Sequence, residues 1–250
     1  DQWINIEKLN DIEAIDIIRK KNINIMVDLM GLSSTNRLSL FKGRLAPIQI
    51  EWLGYNNTTG LSQMDYLIAD PNLIKKDEVK LYSEKIIFLP NIWNCHSGLD
   101  TSRIESPSPL VKNKYITFGS FNNANKISDE VVNVWSKILK STNNSRLILK
   151  SSRNFCDKKL KEKFNKNKVL NLITFVDRKK NFQEHVDEYK KIDLALDTFP
   201  YNGVTTSFEA IWIGIPLLTL KGFNPTSRAG ESINKNLNMN YLIADNKNEY

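Results

Sequence analysis

The stretch Asp197–Leu220, read as DTFPYNGVTTSFEAIWIGIPLLTL, carries the clearest chemical potential in this chain. Gly203 lets backbone come close to a ligand, and Thr205 and Thr206 set two hydroxyls where a helix begins. Backbone N–H groups and the helix dipole make such a junction an anion site, typically for phosphate. The segment Thr206, Ser207, Phe208, Glu209 also fits a capping box, in which Thr206 and Glu209 satisfy each other's backbone donors and bind nothing. Both readings stand on the residues alone.

Such a loop needs a strand to deliver it and a helix to carry the chain away. Leu194–Asp197 is a short apolar run closed by an aspartate, and Pro200–Gly203 supplies turn chemistry. Phe208, Ile211 and Trp212 recur at helical spacing before Pro216 starts another apolar run. That pattern is one unit of an α/β fold. Upstream, helical spacing at Ile12, Ile15 and Ile18 feeds a strand at Ile23–Asp28, and further strands are predicted at Ala46–Tyr55, Met64–Asp70 and Lys85–Pro90. Strands at this spacing suit a parallel sheet with ligands at its carboxyl edge.

From Ser97 to Lys114 the pattern fails, and the polar, proline-bearing stretch reads as a linker between domains. A second series follows: a strand at Tyr115–Phe118, then a helix capped by Ser128 with Asp129 and Glu130 in its first turn. Val131, Val132, Trp135, Ile138 and Leu139 form the buried stripe of that helix. Strands at Arg146–Lys150 and Leu170–Phe175 and a helix around Glu184–Lys191 lead back to the stretch described first. Alternating strands and helices predict a Rossmann-like domain. No GxGxxG follows any strand, which argues against a dinucleotide fold of the usual kind.

With 250 residues, 41% of them apolar, the chain can build two domains. No apolar run approaches the roughly 18 to 20 residues of a bilayer span, and DQWINIEKLN is not a signal peptide, so a soluble cytoplasmic protein is expected. Cys95 and Cys156 lie far apart and only two histidines are present, so free thiols, no metal and no cofactor are expected. The net charge of +7 suits an acidic or phosphorylated ligand, yet the scattered lysine pairs fit a solvated surface equally. No RNA- or DNA-binding motif supports a nucleic-acid partner.

The strings PIQIEWLGYNNTTGLSQMDYLIAD, YSEKIIFLPNIWNC, GSFNNANKISDEVVNVWSKILK and LALDTFPYNGVTTSFEAIWIGIPLLTL, in that order, resemble the catalytic region of the O-linked N-acetylglucosamine transferase family, including its bacterial and SPINDLY-like members. The resemblance runs from about Ile25 to Ala244. It implies an α/β fold of the GT-B type, with two Rossmann-like domains whose parallel sheets face a cleft. It further implies a UDP-sugar donor and metal-independent, inverting transfer, of N-acetylglucosamine by default, to Ser or Thr hydroxyls of a protein or peptide. On this basis residues 1–105 are the later part of the first, acceptor-side domain, and 106–250 are the donor domain. The family's upstream strands and its last helices, due near Asn248–Tyr250, fall outside. A fragment with an incomplete first domain, preceded by tetratricopeptide repeats, is therefore expected.

Carried over residue by residue, Lys126 in FNNANK falls on the family's phosphate-binding lysine, and Asn123 on a polar amide near the phosphates. His185 matches the histidine that packs against uracil. Thr205 and Thr206 match the pair that meets the diphosphate, with Tyr201 and Gly203 lining the same loop. Glu209 stands where the family has an aspartate for the ribose hydroxyls. Without the resemblance, Lys126 is a loop lysine before a capped helix and His185 a helix-surface histidine. Two departures concern the donor: Val204 replaces a histidine beside the diphosphate in animal members, and Glu188 stands where many members carry an arginine near the uracil. Lys126 and the helix start at Thr205 would then stabilise charge developing on the β-phosphate. No general base is named, since Asp28 and Glu51 read as structural. The rival reading is a nucleotide-sugar or phosphate-binding module that has lost catalysis.

Overall fold

The computed structural model describes residues 2–99, 107–151, 155–177 and 179–250. The chain divides into two units, 1–95 and 96–250. The boundary expected at 105/106 lies outside the described residues.

In the first unit, Asn10 and Glu13 form a reciprocal capping box that starts α1 (Asp11–Arg19). Four strands follow, β1 (Ile25–Asp28), β2 (Ile48–Glu51), β3 (Tyr66–Ala69) and β4 (Lys85–Phe88), all parallel and in the order β1-β2-β3-β4. Ala14 and Ile18 of α1 pack with Leu38, Phe41, Leu45 and Met64. The strand predicted over Ala46–Tyr55 is shorter because Leu53 turns the chain at φ 82°, and Gly54 lies so close to Leu29 that an added Cβ would sit 2.2 Å from its carbonyl oxygen.

Asp28 and Glu51 end β1 and β2 and are direct partners in the register. Glu51 is fully buried, and burial, reinforced by the carboxylates of Asp28 and Glu84, pushes its carboxyl up to about 10. It therefore stays protonated beside Asp28, whose Oδ2 accepts the Gly31 N–H at 2.6 Å. An unfolded glutamate ionises near 4.5 while the folded one keeps its proton, so this group's contribution is full at low pH and declines as pH rises from there towards 10. Glu51→Gln keeps a hydrogen-bond donor and removes the ionisation. Calorimetric melting of both proteins at pH 5 and pH 8 is expected to show a drop in wild type, a smaller drop in the variant, and a variant at least as stable at pH 8. Parallel drops would contradict a protonated Glu51.

The second unit runs α2 (Pro109–Asn113), β5 (Thr117–Ser120), α3 (Asp129–Ser141), β6 (Arg146–Lys150), α4 (Phe155–Lys166), β7 (Ile173–Val176), α5 (Phe182–Tyr189), β8 (Leu194–Leu196), α6 (Thr205–Ile213), β9 (Leu217–Leu220), α7 (Ala229–Asn236) and β10 (Ile243–Ala244). Its six strands are parallel, in the order β10-β9-β8-β5-β6-β7. The chain moves outward from β5 through β6 to β7, then returns to the other side of β5. The strand order thus reverses between β5 and β8, and the loops leaving these two strands diverge to open a crevice at their carboxyl ends. Ser128 caps α3 as expected, its Oγ accepting from Val131 N, and Val131, Val132, Trp135 and Leu139 are buried.

Within the stretch read as a linker, α2 is helical, and its start is fixed by Asp193, which accepts from Ser108 Oγ and, at 2.9 Å, from Leu110 N. Residues 100–106 of that stretch lie outside the described part. His96, also ahead of it, stacks on Phe208 with ring centroids 5.1 Å apart, and Gly98 lies against the Trp212 ring. Helix α6 buries Ser207, Ala210 and Ile213, not its Phe208, Ile211, Trp212 stripe. Its small residues allow close packing on the sheet, and the larger ones are left half-buried or exposed under residues 96–98. Cys95 is a free, exposed thiol, and the side chain of Cys156 lies outside the description. Among the described residues no helix is long and apolar enough to cross a membrane.

Candidate functional site

Two loops form the site, one after β5 and one after β8. The first, Phe121–Lys126, ends in a short 3-10 turn. Asn123 caps that turn, its side chain accepting from Asn125 N, and is exposed. Asn122, its neighbour, is buried and accepts from Thr206 Oγ1 at 2.8 Å. The amide that reaches the helix start is therefore that of Asn122, which sequence reasoning did not single out.

The second loop is built around Asp197, which is fully buried. Its Oδ1 accepts from Thr198 N at 2.9 Å and Gly203 N at 2.7 Å, and its Oδ2 accepts from Thr219 Oγ1 at 2.9 Å. Asn202 ties the loop down further: its Nδ2 donates to Thr198 O, its Oδ1 accepts from Gly230 N, and its backbone N–H donates to Thr226 O. Lys126 reaches across from the first loop. Its Nζ donates to Asn202 O at 2.7 Å and lies 4.1 Å from the centre of the Tyr201 ring. Burial holds the Lys126 ammonium below its ordinary range, opposed by the negative charge of Asp197.

Helix α6 begins where these loops meet. Val204 is its N-cap and offers no side-chain acceptor, and the amides of Ser207 and Phe208 are both bonded to Val204 O. Among the described residues no acceptor meets the amides of Thr205 and Thr206. The capping box drawn between Thr206 and Glu209 does not form: the Thr206 hydroxyl goes to Asn122, and Glu209 turns towards α5. The start of α6 therefore keeps two free donors and its dipole for an anion.

Glu209 Oε2 meets His185 Nε2 at 3.1 Å and accepts from Tyr189 OH at 2.9 Å. Burial alone would raise this carboxyl, but the bonds to His185 and Tyr189 outweigh it and leave it below its ordinary value. His185 packs edge-on to Phe121 and Tyr189, so it is no solvent-facing histidine. Glu188 is turned away from this pair and is bound by Lys179 and Lys191. The structure thus brings Lys126, Tyr201, Gly203, Val204, Thr205 and Thr206 to one junction and joins His185 to Glu209 beside it; Asn123 remains in its own turn. Among the described residues no group of three or more His, Cys, Asp or Glu could hold a metal ion.

The sequence model described as glycosyl transferase family 41 matches residues 1–98 and 101–250. The probable UDP-N-acetylglucosamine–peptide N-acetylglucosaminyltransferase SPINDLY of Eustoma exaltatum subsp. russellianum is 35% identical over 259 residues, covering 99% of this chain and 28% of that protein. This chain therefore spans little more than a quarter of that relative. The solved structure of a K341M mutant of Thermobaculum terrenum O-GlcNAc transferase superposes with a TM-score of 0.89 at 31% identity, over 100% of this chain and 48% of that one. A lipopolysaccharide outer core galactosyltransferase without ligand matches at a TM-score of 0.56 and 12% identity, over 93% of this chain and 69% of that one, a likeness of fold alone. The fold is that of the GT-B glycosyltransferases.

Proposed function

The chain belongs to glycosyl transferase family 41, and from that premise we propose that its second unit holds the UDP part of a nucleotide-sugar donor. In the complete protein the sugar, N-acetylglucosamine, is transferred to Ser or Thr hydroxyls of a protein acceptor with inversion. One observation carries this reading: the Lys126 ammonium and the unbonded amides of Thr205 and Thr206 converge at the switch point of a parallel sheet. The names of the relatives, which pair a UDP-sugar with a peptide, support the choice of donor and acceptor.

The acceptor hydroxyl oxygen attacks the anomeric carbon, its proton passing to solvent water, and the bond from that carbon to the β-phosphate oxygen breaks, leaving its electrons on UDP. Lys126 leaves the Asn202 carbonyl for the phosphate, where with the α6 amides it meets the charge that grows as the bond breaks. Orientation of the acceptor behind the anomeric carbon supplies the rest. Val204 contributes no hydrogen bond to the leaving group. Glu209 commits Oε2 to His185 and Tyr189, which leaves Oε1 for the ribose and sets the His185 ring beside the base.

Because the counter-charge comes from Lys126 and backbone donors, UDP is expected to bind with all divalent metal chelated. Calorimetry with and without magnesium checks this. Binding that requires magnesium would refute the metal-independent site. UDP binding without sugar release, from the full-length protein given UDP-GlcNAc and acceptor peptides, would favour a binding module that has lost catalysis.

A further inference from the structure

Asp197 accounts for more of the donor loop than any residue that would touch the donor. Its carboxylate collects Thr198 N and Gly203 N from the two ends of the loop and the Thr219 hydroxyl from β9, and its own carbonyl accepts from Tyr250 OH at 2.9 Å. Helix α7 closes the remaining side, because a Cβ added to Gly230 would lie 2.6 Å from Asp197 Oδ2. The residue is fully buried, so no ligand reaches it. The Asn202 carbonyl on which Lys126 rests lies inside the loop that this carboxylate closes. Lys126 and Asp197 act on each other electrostatically, the ammonium lowering the carboxyl and the carboxylate raising the ammonium.

We infer that Asp197 is a positioning residue for donor binding: its buried carboxylate sets the loop that seats Lys126 and supplies the negative charge that keeps this half-buried lysine cationic. The importance of that charge for the reaction rests on the donor-site reading above; the pairing itself does not. A buried ammonium without a counter-charge gives up its proton, and only the protonated form binds a diphosphate. The carboxylate costs something in return, since burial raises the Asp197 carboxyl to about 6 despite its three donors and Lys126.

Asp197→Asn separates charge from shape. The asparagine Oδ1 can still accept from Thr198 and Gly203, and the Thr219 hydroxyl can turn to accept from the new amide. In protein labelled with ¹³C at lysine Cε, the Lys126 midpoint, assigned with Lys126→Met, is expected to fall by about one unit or more in Asp197→Asn. UDP affinity in the variant should decline with rising pH along the same midpoint, to about twofold below wild type where Lys126 is half deprotonated in the variant, approaching about tenfold as pH rises further. Thr219→Val, which loosens the loop without removing charge, should cost stability and leave the Lys126 midpoint in place. If Asp197→Asn does not fold, the reciprocal measurement stands: Lys126→Met should raise the midpoint of the Asp197 carboxyl carbon. Unmoved midpoints would overturn the inference. A moved midpoint in a protein that binds no UDP would overturn the donor-site reading and leave the Asp197–Lys126 pairing intact.

Discussion

Lys126→Ala is expected to lower kcat/KM of the complete enzyme by about 10²- to 10³-fold, the scale seen when one preorganised donor to a developing oxyanion is removed. The structure adds a stability cost that the sequence did not suggest. Lys126 donates to Asn202 O and lies over the Tyr201 ring, and each contact contributes on the order of 0.5 to 1 kcal/mol. Some loss of melting temperature is therefore expected beside the kinetic loss, and the two need separating. Lys126→Met keeps most of the aliphatic stem while removing the charge and its hydrogen bond to Asn202 O. Its kinetic defect should match that of the alanine variant while its melting temperature lies closer to wild type. Wild-type turnover in Lys126→Met would remove this residue from the chemistry.

Gly203→Ala should damage binding and fold together. A methyl at this position would sit 2.7 Å from Thr206 Oγ1, 2.8 Å from Asn122 Oδ1 and 2.8 Å from Ser207 Oγ, all inside contact distance. Gly203 N is meanwhile held by Asp197, so the loop cannot retreat without giving up that bond. Overpacking of this kind costs about 1 to 3 kcal/mol, or several degrees of melting temperature. The bond most exposed to it is the one between Thr206 and Asn122, which aims the start of α6. UDP affinity is therefore expected to fall by about tenfold or more even where the variant is fully folded, since 1.4 kcal/mol already equals that factor. Unchanged melting and unchanged UDP binding would mean that the junction is slack.

The strands were legible because their apolar runs are short, dense and punctuated: β3, β6 and β9 fall inside the segments predicted for them. Helices α4 and α7 were not, because FCDKKLKEKFNK and AGESINKN hide their buried positions in polar sequence. Helix α6 was found from its apolar spacing, but that spacing did not show which face the sheet takes, and Ser207 and Ala210 are what it accepts at close range. At the site, local spacing located Gly203, Thr205 and Thr206. It offered two fates for Thr206 and Glu209, and long-range partners excluded one of them. Those partners, Asn122, His185 and Tyr189, meet α6 only because β5 and β8 are adjacent in the sheet. Asp197 was visible as the end of a strand, but its role lies in bonds to β9 and to the far side of its own loop, which no one-dimensional pattern displays.

The anchors on either side of residues 100–106 bear on how this chain tolerates change in length. His96 and Gly98 are fastened to the outer face of α6, and Ser108 and Leu110 are fastened to Asp193 at the foot of β8. Both tethers belong to the second unit, so the sheet and its crevice are already held before and after the intervening segment. Adding residues between two fixed posts costs only loop-closure entropy, about 0.6 kcal/mol for each doubling of length. A change of length between these two anchors is thus expected to leave the geometry around Lys126 in place.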